Sequence, residues 1–120
     1  MPYLSIQTNQ AVDENAKKPL LAKASKLVSE QLGKSERYVM TALVPNPDMM
    51  FAGEDGPLAF LELKSIGLPE NATSELAQAL CDLVANDLNI KKDRIVPTQK
   101  GFLVADHLPL CLDIFGELAV

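Results

Sequence analysis

The pattern of apolar residues in this chain occurs twice, and this repeat constrains the fold more than any other feature. Each copy has a stretch that alternates apolar and polar residues, then an amphipathic stretch with helical spacing, then an apolar stretch. An offset of 56 residues aligns the apolar helix positions of the two copies, Leu20, Ala24, Leu27, Val28 and Leu32 with Leu76, Leu80, Leu83, Val84 and Leu88. The pattern predicts two β-α-β halves, at about residues 1–45 and 58–98.

The two predicted helices end in the same way. Gly33 and Asn89, residue types that accept the left-handed conformation, follow the last apolar residue of each helix. A Lys-x-acidic-Arg-apolar-Val segment comes next, at residues 34–39 and again at 91–96. Because these two segments align at an offset of 57 rather than 56, we expect one inserted residue, Ile90, in the second half.

The strands of the two halves differ in their patterns. Residues 3–8 and 58–65 alternate, which predicts strands with one buried face, whereas residues 38–44 are almost all apolar and predict a strand buried on both faces. Pro97 cannot donate a ladder hydrogen bond, so we expect the last strand to be weak or to lie at a sheet edge. The pattern does not assign the tail, residues 99–120; one interpretation is a short strand that reaches a neighbouring subunit.

Used twice, a right-handed β-α-β unit gives an α/β (α+β) fold, a four-stranded mixed sheet with two helices on one face. The 120 residues are the size of a single domain. Residues such as Tyr3, Ser5, Ala42 and Phe60 would lie on the other face, which is too apolar in sum to leave in water. We therefore expect self-association through the uncovered face of the sheet.

Charge and cysteine content exclude several classes of function. The net charge of −5, with no long cluster of basic residues, disfavours nucleic acid as a partner. Polar residues interrupt the N-terminal stretch from Ser5 onward, so we expect no secretory signal and no membrane segment, and a cytoplasmic location. Cys81 and Cys111 lack CxxC spacing and histidine neighbours, which indicates buried thiols rather than a metal site or a disulfide. The sole histidine, His107, is interpreted as structural or solvated.

Several short motifs stand in a specific order along roughly residues 1–95. They are Met1-Pro2 at the start of a strand, Thr8-Asn9, Gly33-Lys34, Tyr38-Val39-Met40, Met50-Phe51-x-Gly53 with Pro57, Lys64-Ser65-Ile66-Gly67 and Asp93-Arg94-Ile95. Together these motifs resemble the tautomerase superfamily, and within it the family of macrophage migration inhibitory factor and D-dopachrome tautomerase. The resemblance implies a homotrimer with an active site at each subunit boundary. It also implies cofactor-independent keto-enol tautomerisation of small α-keto acids such as phenylpyruvate.

The resemblance implies roles for individual residues as well. Pro2, once it is the N-terminal residue, would act as the general base and then as the acid. Lys34 would hold the substrate carboxylate, and the Ile66 N–H would donate a hydrogen bond to the substrate. Ser65 belongs to the same substrate-binding motif as Ile66, and Tyr38 matches an aromatic residue that lines the pocket.

A secondary amine at the N-terminus suits this chemistry. Moving a proton between carbon and oxygen of an α-keto acid needs a base that is unprotonated near neutral pH. An α-amino group has a reference pKa of about 7.7–8.0, and burial together with a nearby cation lowers the pKa further. Pro2 supplies the amine if Met1 is trimmed, and Lys34 supplies the cation.

Three features depart from the family pattern. The family's CxxC motif would fall near residues 58–61, which contain no cysteine, so we expect no thiol-redox activity. The tyrosine and asparagine that a neighbouring subunit lends to the pocket fall at Val96 and Thr98. The resemblance ends after Ile95, so the segment that builds the pocket rim and the trimer contact differs.

Two other functions stay open on the sequence alone. A cytokine-like or other protein-binding homologue would keep the fold and bind a protein receptor with weak or no turnover, and non-classical secretion would then be consistent with the resemblance. A purely structural trimer is the third possibility. Lys34 could instead have a structural role, because the helix dipole favours a cation just past a helix C-terminus. Lys91 has a similar place in the second half.

Overall fold

The structure, a computed structural model, describes residues 2–66, 68 and 73–102. Its elements in chain order are β1 (Tyr3–Thr8), α1 (Glu14–Leu32), β2 (Met40–Pro45), β3 (Ala59–Ile66), α2 (Thr73–Leu88) and β4 (Ile95–Phe102). A short 3₁₀ turn precedes β2 at Glu36–Tyr38, and another precedes β4 at Lys92–Arg94. Within the described residues, no helix is long and apolar enough to span a membrane.

The strands form one four-stranded mixed sheet in the order β2-β1-β3-β4. β1 runs parallel to β2 and antiparallel to β3, and β4 runs parallel to β3. Because α1 joins β1 to β2 and α2 joins β3 to β4, each parallel pair is one β-α-β unit, which confirms the predicted fold. The end of the sheet where β1 and β2 begin and β3 ends is referred to as the Pro2 end.

Both helices pack on one face of the sheet, as predicted. Three equivalent positions of each helix are buried, Leu20, Ala24 and Val28 in α1 and Leu76, Leu80 and Val84 in α2. They form one cluster with the inward residues of the central strands, Leu4, Ile6, Leu61 and Leu63. Residues that are 56 positions apart in the two helices therefore occupy equivalent places in the core.

The face of the sheet turned away from the helices, called the open face, carries the residues predicted for it. Tyr3 and Ser5 alternate with buried residues along β1, and Phe60 does so along β3. Ala42 lies opposite Ser5 in the register, and all four residues are half-buried. The orientation of these residues is confirmed, whereas self-association through the open face stays a prediction.

The prediction that residues 38–44 form a strand buried on both faces is wrong. Strand β2 begins at Met40, and among the described residues it lies at the outer edge of the sheet, paired with β1. Met40 is 54% exposed and Val44 is 39% exposed. An apolar run does not distinguish a strand buried within its own chain from an edge strand that leaves apolar side chains uncovered, because the pattern is the same in both cases.

The prediction of an inserted residue at Ile90 is also wrong. Gly33 and Asn89 both adopt positive φ, 65° and 55°. The 3₁₀ turns that follow, at Glu36–Tyr38 and Lys92–Arg94, are again 56 residues apart. The offset therefore does not change between the helix and the next strand, and the match of the two Lys-containing segments is out of register by one residue.

Lys34 therefore corresponds to Ile90, and not to Lys91. The Lys34 N–H donates to the Ser29 carbonyl at 3.1 Å, and the Ile90 N–H donates to the Ala85 carbonyl at 3.2 Å. Ile90 is 3% exposed and belongs to the hydrophobic core. The same turn thus carries a cation in the first half and a core residue in the second.

The loop between β2 and β3 is attached to the start of β4 by a single side chain. The Arg94 guanidinium donates hydrogen bonds to the carbonyls of Phe51 at 2.6 Å, Glu54 at 3.0 Å, Gly56 at 3.2 Å and Pro57 at 3.3 Å. The guanidinium also lies 5.4 Å from the centre of the Phe51 ring. Arg94 therefore fixes the loop by contacting its main chain at four points.

Strand β4 lies at the other edge of the sheet, as Pro97 predicted. Pro97 lies opposite Leu61 in the register, and the strand continues to Phe102. The first four residues of the predicted tail, 99–102, therefore extend β4 within its own sheet. His107 and Cys111 lie outside the described residues.

Candidate active site

Pro2 immediately precedes the central strand β1, and its ring is fully buried. Its carbonyl accepts a hydrogen bond from the Met40 N–H at 2.9 Å. The register of β1 on β3 pairs Tyr3 with Lys64, so Pro2 lies at the level of the next β3 residue, Ser65. The start of the chain is thus fixed between the first residue of β2 and the end of β3.

Lys34 is directed to the same end of the sheet by the turn that ends α1. Gly33 takes the left-handed conformation there, which lets its N–H donate to the Ser29 carbonyl. The Lys34 N–H donates to the same carbonyl at 3.1 Å. The helix therefore stops immediately before Lys34.

The Lys34 ammonium contacts the last two residues of β3. Its Nζ donates to the Ile66 carbonyl at 3.0 Å and lies 3.4 Å from Ser65 Oγ. An ammonium has three N–H donors, so these two contacts leave one donor for a further acceptor. A positive charge is thus held at the Pro2 end with capacity to bind an anion.

Ser65 supports this ammonium from the interior. The residue is 1% exposed, and its hydroxyl lies 3.3 Å from the Ile66 carbonyl, which is also the acceptor of the Lys34 ammonium. Such burial suits contact with Lys34 better than contact with a substrate. The role of the Ile66 N–H as a donor to substrate stays a prediction.

Tyr38 lies near the Pro2 end but on its rim. It ends the 3₁₀ turn two residues before Met40, the residue hydrogen-bonded to Pro2, and it is 53% exposed. The Arg37 guanidinium lies 5.9 Å from the centre of its ring. An exposed aromatic ring at this place is consistent with the predicted pocket lining.

Val96 lies near the opposite end of the sheet, and Thr98 lies near its middle, opposite Glu62 in the register. The register pairs Thr8 with Ala59 and Ala59 with Ile95, so β4 begins at the end where β1 finishes. The Thr98 hydroxyl donates to the Leu61 carbonyl at 2.9 Å. Within one chain, Val96 therefore lies roughly 16 Å along the strand direction from the level of Pro2, and Thr98 roughly 10 Å, both two strands across from β1.

Cysteine and acidic side chains are further groups in the described part of the chain that could support chemistry. No cluster of three or more histidine, cysteine or acidic residues able to hold a metal ion is found there. Burial, and then the neighbouring carboxylate of Asp82, raise the pKa of the Cys81 thiol, although Lys92 opposes them. A raised pKa keeps the thiol protonated. Cys81 is free, as predicted, but it is half-buried rather than buried.

Ser29 is a residue of this site that the sequence did not reveal. Its hydroxyl donates a hydrogen bond to the Lys34 carbonyl. The available signal was its place five residues before Lys34, where the second half has Ala85. The signal becomes visible when the two halves are aligned at an offset of 56 throughout.

Comparisons with known proteins agree with this architecture. The family model for macrophage migration inhibitory factor matches residues 1–101. A macrophage migration inhibitory factor homolog from Brugia malayi is 38% identical over 96 residues, which cover 78% of this chain and 82% of that protein. The crystal structure of a homologue from Prochlorococcus marinus has a TM-score of 0.75 and 35% identity, and the match covers 81% of this chain and 85% of that one.

A macrophage migration inhibitory factor-like protein from Entamoeba histolytica has the same fold, with a TM-score of 0.81 at 24% identity over 88% of this chain and 91% of that one. The duplicated β-α-β architecture is that of the tautomerase superfamily. Within it, the chain belongs to the macrophage migration inhibitory factor family. The family assignment made from the motifs is thereby confirmed.

Proposed function

We propose that this protein is a cofactor-independent keto-enol tautomerase that acts on small α-keto acids such as phenylpyruvate. The observation that carries the proposal is the Lys34 ammonium, which is held by Ile66 and Ser65 at the same end of the sheet as Pro2. A cation and a potential amine base at one end of the sheet are the combination that an α-keto acid requires, because the substrate has a carboxylate beside the keto group that makes its C–H bond acidic.

In the proposed reaction, Lys34 binds the substrate carboxylate with the N–H that Ser65 and Ile66 leave available. The Pro2 nitrogen takes a proton from the carbon next to the keto group, and the electron pair of that C–H bond moves to form the enolate. A proton from solvent then adds to the enolate oxygen to give the enol, and the protonated Pro2 amine releases its own proton to solvent. In the reverse direction, the protonated Pro2 amine delivers a proton to carbon while the enol oxygen loses one to solvent. No electrons are gained or lost, so the reaction needs no redox cofactor.

A solved fold neighbour supports the substrate class. Its crystal structure is of a protein inactivated by 2-oxo-3-pentynoate, and it has a TM-score of 0.78 at 22% identity over 87% of this chain and 88% of that one. The inactivator is itself an α-keto acid, so a site in this fold reacts with that class of compound. We extend the class, and not the particular compound, to this chain.

The proposal includes a homotrimer, with the pocket completed by a neighbouring subunit. The exposed apolar residues Met40 and Val44 at the β2 edge support association, because an uncovered apolar edge favours pairing with another chain. A trimer of a 13.0 kDa chain has a mass of about 39 kDa, which light scattering measures directly.

The function is tested with phenylpyruvate, by following the enol absorbance, after intact mass has shown whether Met1 is removed. Replacing Pro2 by Ala leaves a primary amine with less favourable geometry, and we expect the rate to fall about 10²–10⁴-fold. The exposed Pro47→Ala serves as the matched control and should retain the native rate. Native turnover by the Pro2→Ala variant would contradict the mechanism. No turnover by the native trimer would favour a protein-binding homologue.

A further inference from the structure

Ser29 forms hydrogen bonds with the main-chain N–H and the main-chain carbonyl of Lys34, one on each side of the lysine's α-carbon. The Ser29 carbonyl accepts the Lys34 N–H at 3.1 Å, and the Ser29 hydroxyl donates to the Lys34 carbonyl. Both peptide groups of Lys34 are therefore bonded to one residue of α1. This arrangement limits rotation of the Lys34 main chain at the point from which its long side chain extends.

The second half of the chain contains the same turn without a hydroxyl. Ala85 takes the place of Ser29, and its carbonyl accepts the Ile90 N–H at 3.2 Å. The residues that begin the following 3₁₀ turns, Ser35 and Lys91, have nearly identical main-chain angles, φ −65° and ψ 140° against φ −66° and ψ 140°. The fold therefore closes this turn with alanine, and the Ser29 hydroxyl is not needed for its shape.

The direction of the Ser29 hydrogen bond is also informative. A serine inside a helix commonly bonds back to the carbonyl four residues earlier. Ser29 instead donates forward, to a carbonyl two residues beyond the last residue of α1, Leu32. This forward hydrogen bond is found in the first half, where the turn carries the Lys34 cation.

We propose that Ser29 is a positioning residue that pre-orders Lys34 for binding a substrate carboxylate. The proposal rests on the carboxylate-binding role proposed for Lys34. Ile66 and Ser65 hold the ammonium, and Ser29 holds the main chain, so the flexible side chain between them is fixed at both ends. A lysine that is ordered before the ligand arrives loses less conformational freedom on binding, which strengthens the complex.

Kinetics of Ser29→Ala test this role. We expect the KM for phenylpyruvate to rise about three- to tenfold, the usual effect of one hydrogen bond, while kcat changes by less than about twofold. Ser29→Thr keeps a hydroxyl and should restore most of the native KM. Ala85→Ser is the matched control, because it adds a hydroxyl to the equivalent turn next to Ile90, and it should leave the KM unchanged.

A double-mutant cycle separates positioning from a general loss of structure. In a Lys34→Ala background, Ser29→Ala should raise the KM for phenylpyruvate by less than about twofold, because the lysine that Ser29 positions is absent. Equal losses in both backgrounds would overturn the proposal. An unchanged KM in the single Ser29→Ala variant, with the native melting temperature, would overturn it as well.

Binding of 3-phenylpropionate, which has a carboxylate but no keto group, provides a readout without turnover. If the native protein binds it and both Ser29→Ala and Lys34→Ala weaken that binding, Ser29 acts as proposed even if no tautomerase activity is found. If native binding does not depend on Lys34, or if 3-phenylpropionate does not bind, the anchoring role of Lys34 fails and the proposal for Ser29 fails with it.

Discussion

At the scale of single residues, the candidate site depends on one cation and the oxygen atoms around it. The Lys34 ammonium shares the Ile66 carbonyl with the buried Ser65 hydroxyl. None of these contacts neutralises the charge, because a carbonyl and a hydroxyl are uncharged acceptors. The full positive charge therefore remains at the Pro2 end, where it acts on any titratable group nearby.

The pH dependence of turnover should report this charge. Burial and the Lys34 cation both disfavour a protonated amine, so we expect the pKa of the free Pro2 amine to lie below its usual range of about 7.7–8.0. Since the amine must be unprotonated to act as a base, kcat/KM should fall as the pH decreases through that pKa. Lys34→Ala should move the fall to higher pH, and Lys34→Arg, which keeps the charge, should not. An identical pH profile in Lys34→Ala would mean that the two groups do not interact.

At the scale of elements, the turns and loops decide which residues meet. The Lys34 side chain reaches β3 because α1 ends at Gly33, and the loop between β2 and β3 is held by Arg94. A planar guanidinium presents donors in several directions, so it can serve four carbonyls that a lysine could not serve together. Loop geometry in this fold thus depends on the side chain of a distant residue.

Removing Arg94 should loosen this loop, although Asn9 still donates hydrogen bonds to the carbonyls of Asp55 and Gly56. We expect Arg94→Ala to lower the free energy of unfolding by about 2 kcal/mol, since several charge-assisted hydrogen bonds are lost and the carbonyls are partly solvated afterwards. Arg94→Lys should recover little of this loss, because it replaces a fork of donors by a point charge. Arg37→Ala is the control on the first-half 3₁₀ turn. Urea denaturation measures all three, and equal stability of Arg94→Ala and the native protein would contradict the role.

Much of this arrangement could be predicted from the sequence, and the reasons for the failures are physical. Helical periodicity located the core positions such as Leu20 and Leu76 because burial imposes a strong apolar pattern. The register after the helices was missed because Lys34 and Lys91 look equivalent in sequence, although hydrogen bonding makes Ile90 the true counterpart of Lys34. Ser29 was missed because one hydroxyl bond leaves no periodic signal.

At the scale of the whole molecule, the uncovered apolar surface lies at the β2 edge and on the open face. Met40, Ala42 and Val44 share this face, opposite the helices, and two of them are substantially exposed. The resemblance to the family implies that association also brings Val96 and Thr98 of one subunit to the pocket at the Pro2 end of another. Assembly and catalysis are therefore expected to be lost together.

A charge at the β2 edge tests this link. Val44→Asp should prevent association, because the carboxylate would have to be buried against an apolar surface, and the mass should fall toward the 13.0 kDa of one chain. Lys26→Asp, on the exposed face of α1, is the control and should leave the assembly intact. Light scattering measures the mass, and the phenylpyruvate assay measures turnover of the same samples. A monomeric variant with native activity would show that one chain completes the site.

The duplication of the turn has a consequence for the number of reactive groups that each polypeptide can offer. If Met1 is removed and Pro2 begins the mature chain, as proposed, the leading nitrogen of the first half is a free amine. The second half starts inside the chain, where the nitrogen of every residue near Ala59 belongs to an amide and has no basicity. A cation at the second turn would have no base to assist, and Ile90 fills that position within the core instead. Two separate halves would have two N-terminal amines, whereas one chain that contains both halves has only one. The second turn therefore contributes a core residue rather than a cation.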